Sequence, residues 1–258
     1  MTNQNNPPSS GESYKPFLLL QIRAEDDAAQ NEYAAICDFA GLEPEELIQV
    51  RLEQGPMPNF DLEDYSGIII GGSPFNVSDD DATKSDVQHR VEAELQDLLD
   101  HVIAEDYPLL GLCYGLGLLG VNLGGIVDRK YGEGAGTVEI RLTAAGKHDP
   151  LLVGMPDKFL ALTGHKEAIS TLPPAATLLA TSQGTTVQMI RVGQHVYATQ
   201  FHPELDEVGL KERLAVSLDK GYCQPEEYDQ VVNRIRGAFL QHSHQILSNF
   251  VHHFSATH

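Results

Sequence analysis

Tryptophan is absent from the 258 residues, cysteine occurs three times, and 17 basic residues stand against 37 acidic ones. Each scarcity excludes something. Three cysteines scattered at positions 37, 113 and 223 make neither a disulfide framework nor a cluster with zinc-ligand spacing. A net charge of −20 repels phosphate backbones and anionic lipid, which argues against nucleic-acid and membrane-surface binding. Small anionic ligands stay open, because a local site can oppose the net field. The N-terminal stretch MTNQNNPPSSGESYKP has no basic segment leading into an apolar one and so is not a secretory signal. Residues 1–15 are expected to be a disordered leader, and the cytoplasm is the default compartment. There is no internal repeat, no Gly/Ser-rich linker and no G-x-x-x-x-G-K-[ST] phosphate loop.

One long run carries no charge at all: the 20 residues Pro108 to Val127, long enough to raise the question of a membrane span. Its six glycines, Asn122 and an opening proline argue against one. The run divides instead into a short buried strand, PLLGLC, and a helix on which Leu116, Leu119 and Leu123 recur at helical spacing.

The remaining pattern is strand–helix alternation. Apolar runs at 17–22, 47–52 and 66–72 read as strands; 26–42 and 83–106 read as amphipathic helices, the first with Gly41 as its C-cap. Such alternation predicts an α/β fold with a mostly parallel central sheet and helices on both faces. Short strands at 137–142, 158–162, 177–182, 185–192 and 195–201 predict a small antiparallel sheet added to that core. Residues 16–206 are read as one domain. The polar helical extension 207–258 is expected to pack on it, with a dimer contact as its other role.

Three features carry chemistry. Gly111-Leu112-Cys113-Tyr114-Gly115 is the cysteine version of a nucleophile elbow, a sharp strand-to-helix turn whose glycines allow close approach of strand and helix. The turn sets the Cys113 sulfur at a helix N-terminus, where the dipole favours thiolate. A small buried cysteine between packing glycines would also fit this string taken alone. His202-Pro203-Glu204 places an imidazole and a carboxylate two residues apart, on one side of an extended segment. That arrangement suits a base held by an acid. Gly71-Gly72 closes a predicted parallel strand, where α/β sheets bind ligands, and the Gly72 amide is a candidate partner for that of Tyr114 in an oxyanion hole.

In this order the three features resemble class I glutamine amidotransferases of the triad type, the family that includes the glutaminase domain of GMP synthase. The resemblance covers roughly residues 17–206 and implies a flavodoxin-like sheet. It also implies a Cys113–His202–Glu204 triad that hydrolyses the glutamine side-chain amide through a thioester, with Gly72 and Tyr114 amides at the oxyanion. Gly71, Ser73, the Gly117 position and His165 are implied as substrate-binding, and the step needs no metal or organic cofactor. Ammonia would then serve a synthetase on a separate chain. One departure stands out: family members usually carry Gln where this chain has Gly117. Losing that contact predicts a wider pocket and favours the alternative, a stand-alone hydrolase of larger γ-glutamyl amides or peptides. A third reading, a non-catalytic binding protein, conflicts with the complete Cys–His–Glu set.

The other candidates are bland. Cys37 is expected in the core, and Cys223 lies in no catalytic pattern. His242, His244, His252 and His253 are expected on an exposed helix face rather than around a metal. Asn76-Val77-Ser78 matches a glycosylation sequon by chance.

Overall fold

Continuous apolar runs, not alternating ones, build the central strands. In the computed structural model, which describes residues 15–217 and 228–255, β1 (Phe17–Gln21), β3 (Gly67–Ile70) and β4 (Leu109–Leu112) are buried at every residue. That is what strands covered on both faces require. β2 (Leu47–Arg51) exposes Ile48 and Gln49 and lies at the sheet edge. The expected leader falls at residues 1–14 outside the described residues, as does Cys223, while Lys15 already runs into β1.

The later strands are β6 (Glu133–Leu142), β7 (Lys158–His165), β9 (Ala176–Thr181), β10 (Met189–Val192) and β11 (Val196–Thr199). With the first four they form one nine-stranded sheet in the order β2-β1-β3-β4-β11-β10-β9-β6-β7. β11 is the hinge of this topology, parallel to β4 on one side and antiparallel to β10 on the other. The antiparallel strands therefore extend the central sheet instead of forming a separate one. The small separate sheet is a different pair, β5 (Ile126–Asp128) with β8 (Ala168–Thr171). Neither is legible as a strand in the sequence, being three and four residues long. In the run at 185–192 backbone pairing begins only at Gln188, just before β10, because Ser182 and Thr185 close a turn ahead of it.

Alternate residues of β1 feed opposite layers. Phe17 and Leu19 pack with Ile36 of α1 (Asp26–Ala40) and with Ile246, Phe250 and Phe254 of α6 (Gln241–Ser255). Leu18 and Leu20 pack with Val91, Leu95 and Leu99 of α2 (Asp86–Glu105) and with Leu116 and Leu119 of α3 (Tyr114–Asn122). α2 begins later than the 83–106 pattern suggests because Ser85 caps it, its hydroxyl accepting from Gln88 N at 3.1 Å. Gly41 ends α1 at φ 73°, as expected. α4 (Glu207–Ser217) and α5 (Tyr228–Ile235) form a third cluster, in which Leu210, Leu214, Val231 and Ile235 close over Ala135 and Leu162. The segment beyond residue 206 thus contributes core side chains, and α6 is amphipathic where the sequence reads mostly polar. Among the described residues, no helix is long and apolar enough to cross a membrane.

Candidate active site

β4 lies between β3 and β11, and all three run parallel. Their carboxyl ends consequently deliver three segments to one place: Gly71–Ser73 after β3, Cys113 after β4, and Gln200–Glu204 after β11. This is where open α/β sheets form ligand crevices.

Cys113 adopts φ 52°, ψ −87°, outside the regions favourable to a side chain-bearing residue. Such strain costs of order 1–3 kcal/mol and persists only where the surroundings enforce it. Here Cys113 N donates to Thr199 O at 2.7 Å, and Cys113 O accepts from Leu116 N and Gly117 N as α3 begins. Gly111 is essential to the turn, since a Cβ there would stand 2.9 Å from the Gly115 carbonyl carbon. Gly115 is less demanding, as its Cβ would only touch Ile70 at 3.4 Å. The Gln200 amide donates to the Cys113 sulfur at 3.7 Å.

His202 is fixed at its backbone by N–H donation to Leu162 O at 2.9 Å. Its Nδ1 donates to Glu204 Oε1 at 2.7 Å, and the ring lines the same cavity as Cys113. Burial alone would favour the neutral ring, but the Glu204 charge and the Cys113 sulfur outweigh it and push His202 up to about 9. Burial likewise opposes ionisation of Glu204, yet His202 and Arg213 hold its carboxyl well below the usual range.

Arg213, on α4, bonds Glu204 Oε1 at 3.0 Å and Glu32 Oε1 at 3.1 Å. Glu32 has no exposed surface. It also accepts from Arg23 Nη2 at 2.9 Å and from Gln21 Nε2 at 2.9 Å. Two arginines and two glutamates therefore form one buried, charge-balanced cluster behind the imidazole. Sequence reading missed Arg23, Glu32, Arg213 and Gln200. Only Gln200 carried a signal, by adjoining Phe201-His202-Pro203-Glu204; Arg23 and Glu32 lie nine residues apart, and Arg213 joins them from 181 positions beyond Glu32.

Two cavities meet at the sulfur, and Cys113 and Ser73 line both. The smaller, about 320 Å³, is lined by Tyr114, Gly117, His165, Glu167 and Gln200 among others. The larger, about 740 Å³ with its mouth, lies on the His202 side. Gly72 stands beside the imidazole, where a Cβ would come within 3.2 Å of His202 Cε1 and 2.7 Å of Arg23 Nη2. Tyr114 opens α3, so its amide has no acceptor within the helix. Gly71 packs against a different neighbour. Its missing side chain makes room for Glu32, whose Oε2 would stand 2.7 Å from a Cβ.

His165 is buried with both ring nitrogens engaged, Nδ1 to Glu167 O at 2.9 Å and Nε2 to Glu133 Oε2 at 3.2 Å. The space beside Gly117 is not open either. A Cβ there would meet Glu167 Oε1 and Val77 Cγ2, each at 3.3 Å. Glu167 is locked in that position by Val77 N and Ser78 N, both at 2.8 Å. The pocket is thus filled from another segment and is not widened at this point.

His244 departs from the expected exposed face: it stacks on Phe39 at 3.7 Å between centroids, and its Nδ1 donates to Pro203 O at 2.8 Å. Among the described residues, no group of His, Cys, Asp and Glu is placed to hold a metal ion. Cys37 lies in the core, where burial pushes its thiol up. Asn76 is also buried.

A thiol, an imidazole and a buried carboxylate thus come together at the carboxyl edge of the mostly parallel part of the sheet. The family model for class I glutamine amidotransferases matches residues 45–213, more than half of the chain. The chain belongs to that family. It is 30% identical over 206 residues to Gamma-glutamyl peptidase 3 of Arabidopsis thaliana, covering 76% of this chain and 79% of the relative. It is 32% identical over 142 residues to a glutamine-hydrolyzing GMP synthase subunit of Methanoregula boonei, covering 55% of this chain and 66% of the relative. Against longer GMP synthases the match spans only 25–32% of the relative's length. A glutamine amidotransferase from Thermotoga maritima shares the fold at TM-score 0.76 and 17% identity, covering 95% of this chain and 100% of the other.

Proposed function

We propose that this chain hydrolyses the amide bond at the γ-carbonyl of glutamine and related γ-glutamyl compounds through a thioester on Cys113. The observation that carries the reading is His202, which lines the same cavity as Cys113 and meets Glu204 Oε1 through Nδ1 at 2.7 Å. The Cys113 thiolate attacks the γ-carbonyl, and the amides of Gly72 and Tyr114 stabilise the oxyanion. His202 gives its proton to the departing nitrogen and then takes one from the water that cleaves the thioester. Glu204 holds the imidazolium, and the acyl portion occupies the cavity lined by Ser73, Tyr114, Gly117 and His165.

A second reading, in which ammonia passes to a separate synthetase, draws on the similarity to the M. boonei GMP synthase subunit. The test is glutamate release from glutamine and a panel of γ-glutamyl amides by the wild type and by Cys113→Ala. Release by the wild type alone supports the hydrolysis, whereas equal release by both proteins sinks it. Stimulation of glutamine turnover by an added synthetase separates the second reading from the first.

A further inference from the structure

The two cavities at Cys113 differ in which half of the proposed machinery they contain. Tyr114, the oxyanion donor, lines only the smaller one, while His202, the proton donor to the leaving nitrogen, lines only the larger. An amide bond held between them has its acyl carbon on the Tyr114 side and its nitrogen substituent on the His202 side. Ammonia is about the size of a water molecule and would leave most of the larger cavity's wall without contact.

The wall of that space is mostly apolar. Ala28, Ala135, Leu205, Leu210 and Leu214 line it, and the last two come from α4. Its charged residues are Arg23, Arg213 and Glu25; the two arginines are paired with Glu32, and Arg213 also with Glu204, so no surplus positive charge there demands an anionic ligand.

We infer that this second cavity is the leaving-group site and that it selects γ-glutamyl amides whose amine carries an apolar side chain, γ-glutamyl-leucine being a simple example. The inference rests on the proposed γ-glutamyl hydrolysis and names the substrate class for it. As Cys113 Sγ bonds to the carbonyl carbon of the γ-carboxamide, the C–N bond breaks and its electron pair stays on nitrogen, which takes the proton from His202. The neutral amine leaves through the Leu210–Leu214 side. Water enters in its place, loses a proton to His202 and adds to the thioester carbon. The C–S bond then breaks to release glutamate and restore the thiolate.

Burying an apolar side chain in such a pocket is worth a tenfold preference or more. The test measures kcat/KM of the full chain for γ-glutamyl-leucine, γ-glutamyl-glycine and glutamine. γ-Glutamyl-leucine is expected to exceed γ-glutamyl-glycine at least tenfold, with glutamine lower still. Leu214→Ser and Leu210→Ser are each expected to shrink the leucine-to-glycine ratio at least fivefold; the ratio is independent of how much of the variant folds. Equal kcat/KM for the two dipeptides in the wild type, or an unchanged ratio in both variants, overturns the leaving-group site and leaves the hydrolysis standing. Turnover of none of the three substrates overturns the hydrolysis itself.

Discussion

Arg213 Nη1 lies 3.0 Å from Glu204 Oε1, the same oxygen that accepts the His202 Nδ1 proton at 2.7 Å. One carboxylate oxygen thus serves an imidazole from the segment after β11 and a guanidinium from helix α4. This makes Arg213 a positioning residue for His202 by way of Glu204, and it ties the proposed chemistry to a segment beyond the Gln200–Glu204 motif.

Replacing Arg213 by Met should lower kcat/KM for γ-glutamyl substrates about tenfold, the scale of one charge-assisted hydrogen bond. It should also destabilise the protein by roughly 3 kcal/mol, because Glu32 and Glu204 both lose a buried partner. Arg213→Lys should recover part of the stability but not all, since a single ammonium replaces two guanidinium contacts to separate carboxylates. Thermal unfolding and a pH–rate profile check this: with Arg213 gone, Glu204 attracts the imidazolium more strongly, and the alkaline limb moves upward.

The pH dependence follows from the directions of the two shifts. His202 is raised from 6.5 to about 9 in the folded protein. Its contribution to stability is therefore complete below pH 6.5 and disappears as pH rises through about 9. Glu204 is depressed from 4.5, so its contribution is present above pH 4.5 and is lost as acid protonates it. Denaturant midpoints should hold steady between about pH 5 and 6.5 and fall on both sides. Because Cys113 is one source of the His202 shift, Cys113→Ala should flatten the alkaline fall while leaving the acid one.

Much of this site is legible in the sequence alone, and the limit falls at a physical boundary. Cys113, His202, Glu204 and Gly72 are readable because a tight turn, an i,i+2 carboxylate and a glycine pair are local arrangements whose residue types report their geometry. The parallel half of the sheet is readable for the same reason, as β1, β3 and β4 are continuous apolar runs. The Glu32–Arg213 contact joins residues 181 positions apart, and no local pattern distinguishes a buried arginine on α4 from a solvated one. Gly71 misleads for a related reason: its glycine serves the packing of Glu32 on α1, a demand that adjacent sequence does not display.

The strained backbone at Cys113 separates stability from activity. Cys113→Gly relieves a φ of 52° without a Cβ, whereas Cys113→Ala keeps the strain. Both variants should be inactive, but the glycine variant should be more stable than the alanine variant by about 1 kcal/mol. Chemical denaturation of the two, compared side by side, reads this difference; equal midpoints would show that the turn is not strained in solution.

Helix α6 should be indispensable to the fold. Phe250 has no exposed surface and packs 5.8 Å from Phe17 of the central β1 and 4.9 Å from Phe254. Phe250→Ala should lower stability by roughly 3–5 kcal/mol. Truncation before Gln241 should yield insoluble or unfolded protein, because it uncovers a whole layer of the sheet. A soluble truncated chain with a cooperative unfolding transition would contradict the packing described here.

Gly117 marks the clearest departure from the family pattern, and the structure changes what restoring the usual residue should do. Family members usually carry Gln at this position, but here Glu167 Oε1 and Val77 Cγ2 already stand 3.3 Å from where a Cβ would begin. Gly117→Gln should therefore overpack the pocket, costing about 1–3 kcal/mol, and should not raise kcat/KM for glutamine. Glu167 cannot simply swing away, since Val77 N and Ser78 N both depend on its carboxylate. Glu167→Ala removes the clash but strands those two amides, so it too should destabilise. In a double-mutant cycle, the destabilisation of Gly117→Gln with Glu167→Ala should be less than the sum of the single effects, with a coupling of at least about 0.5 kcal/mol. Simple additivity would mean that Glu167 does not occupy the space the missing glutamine leaves.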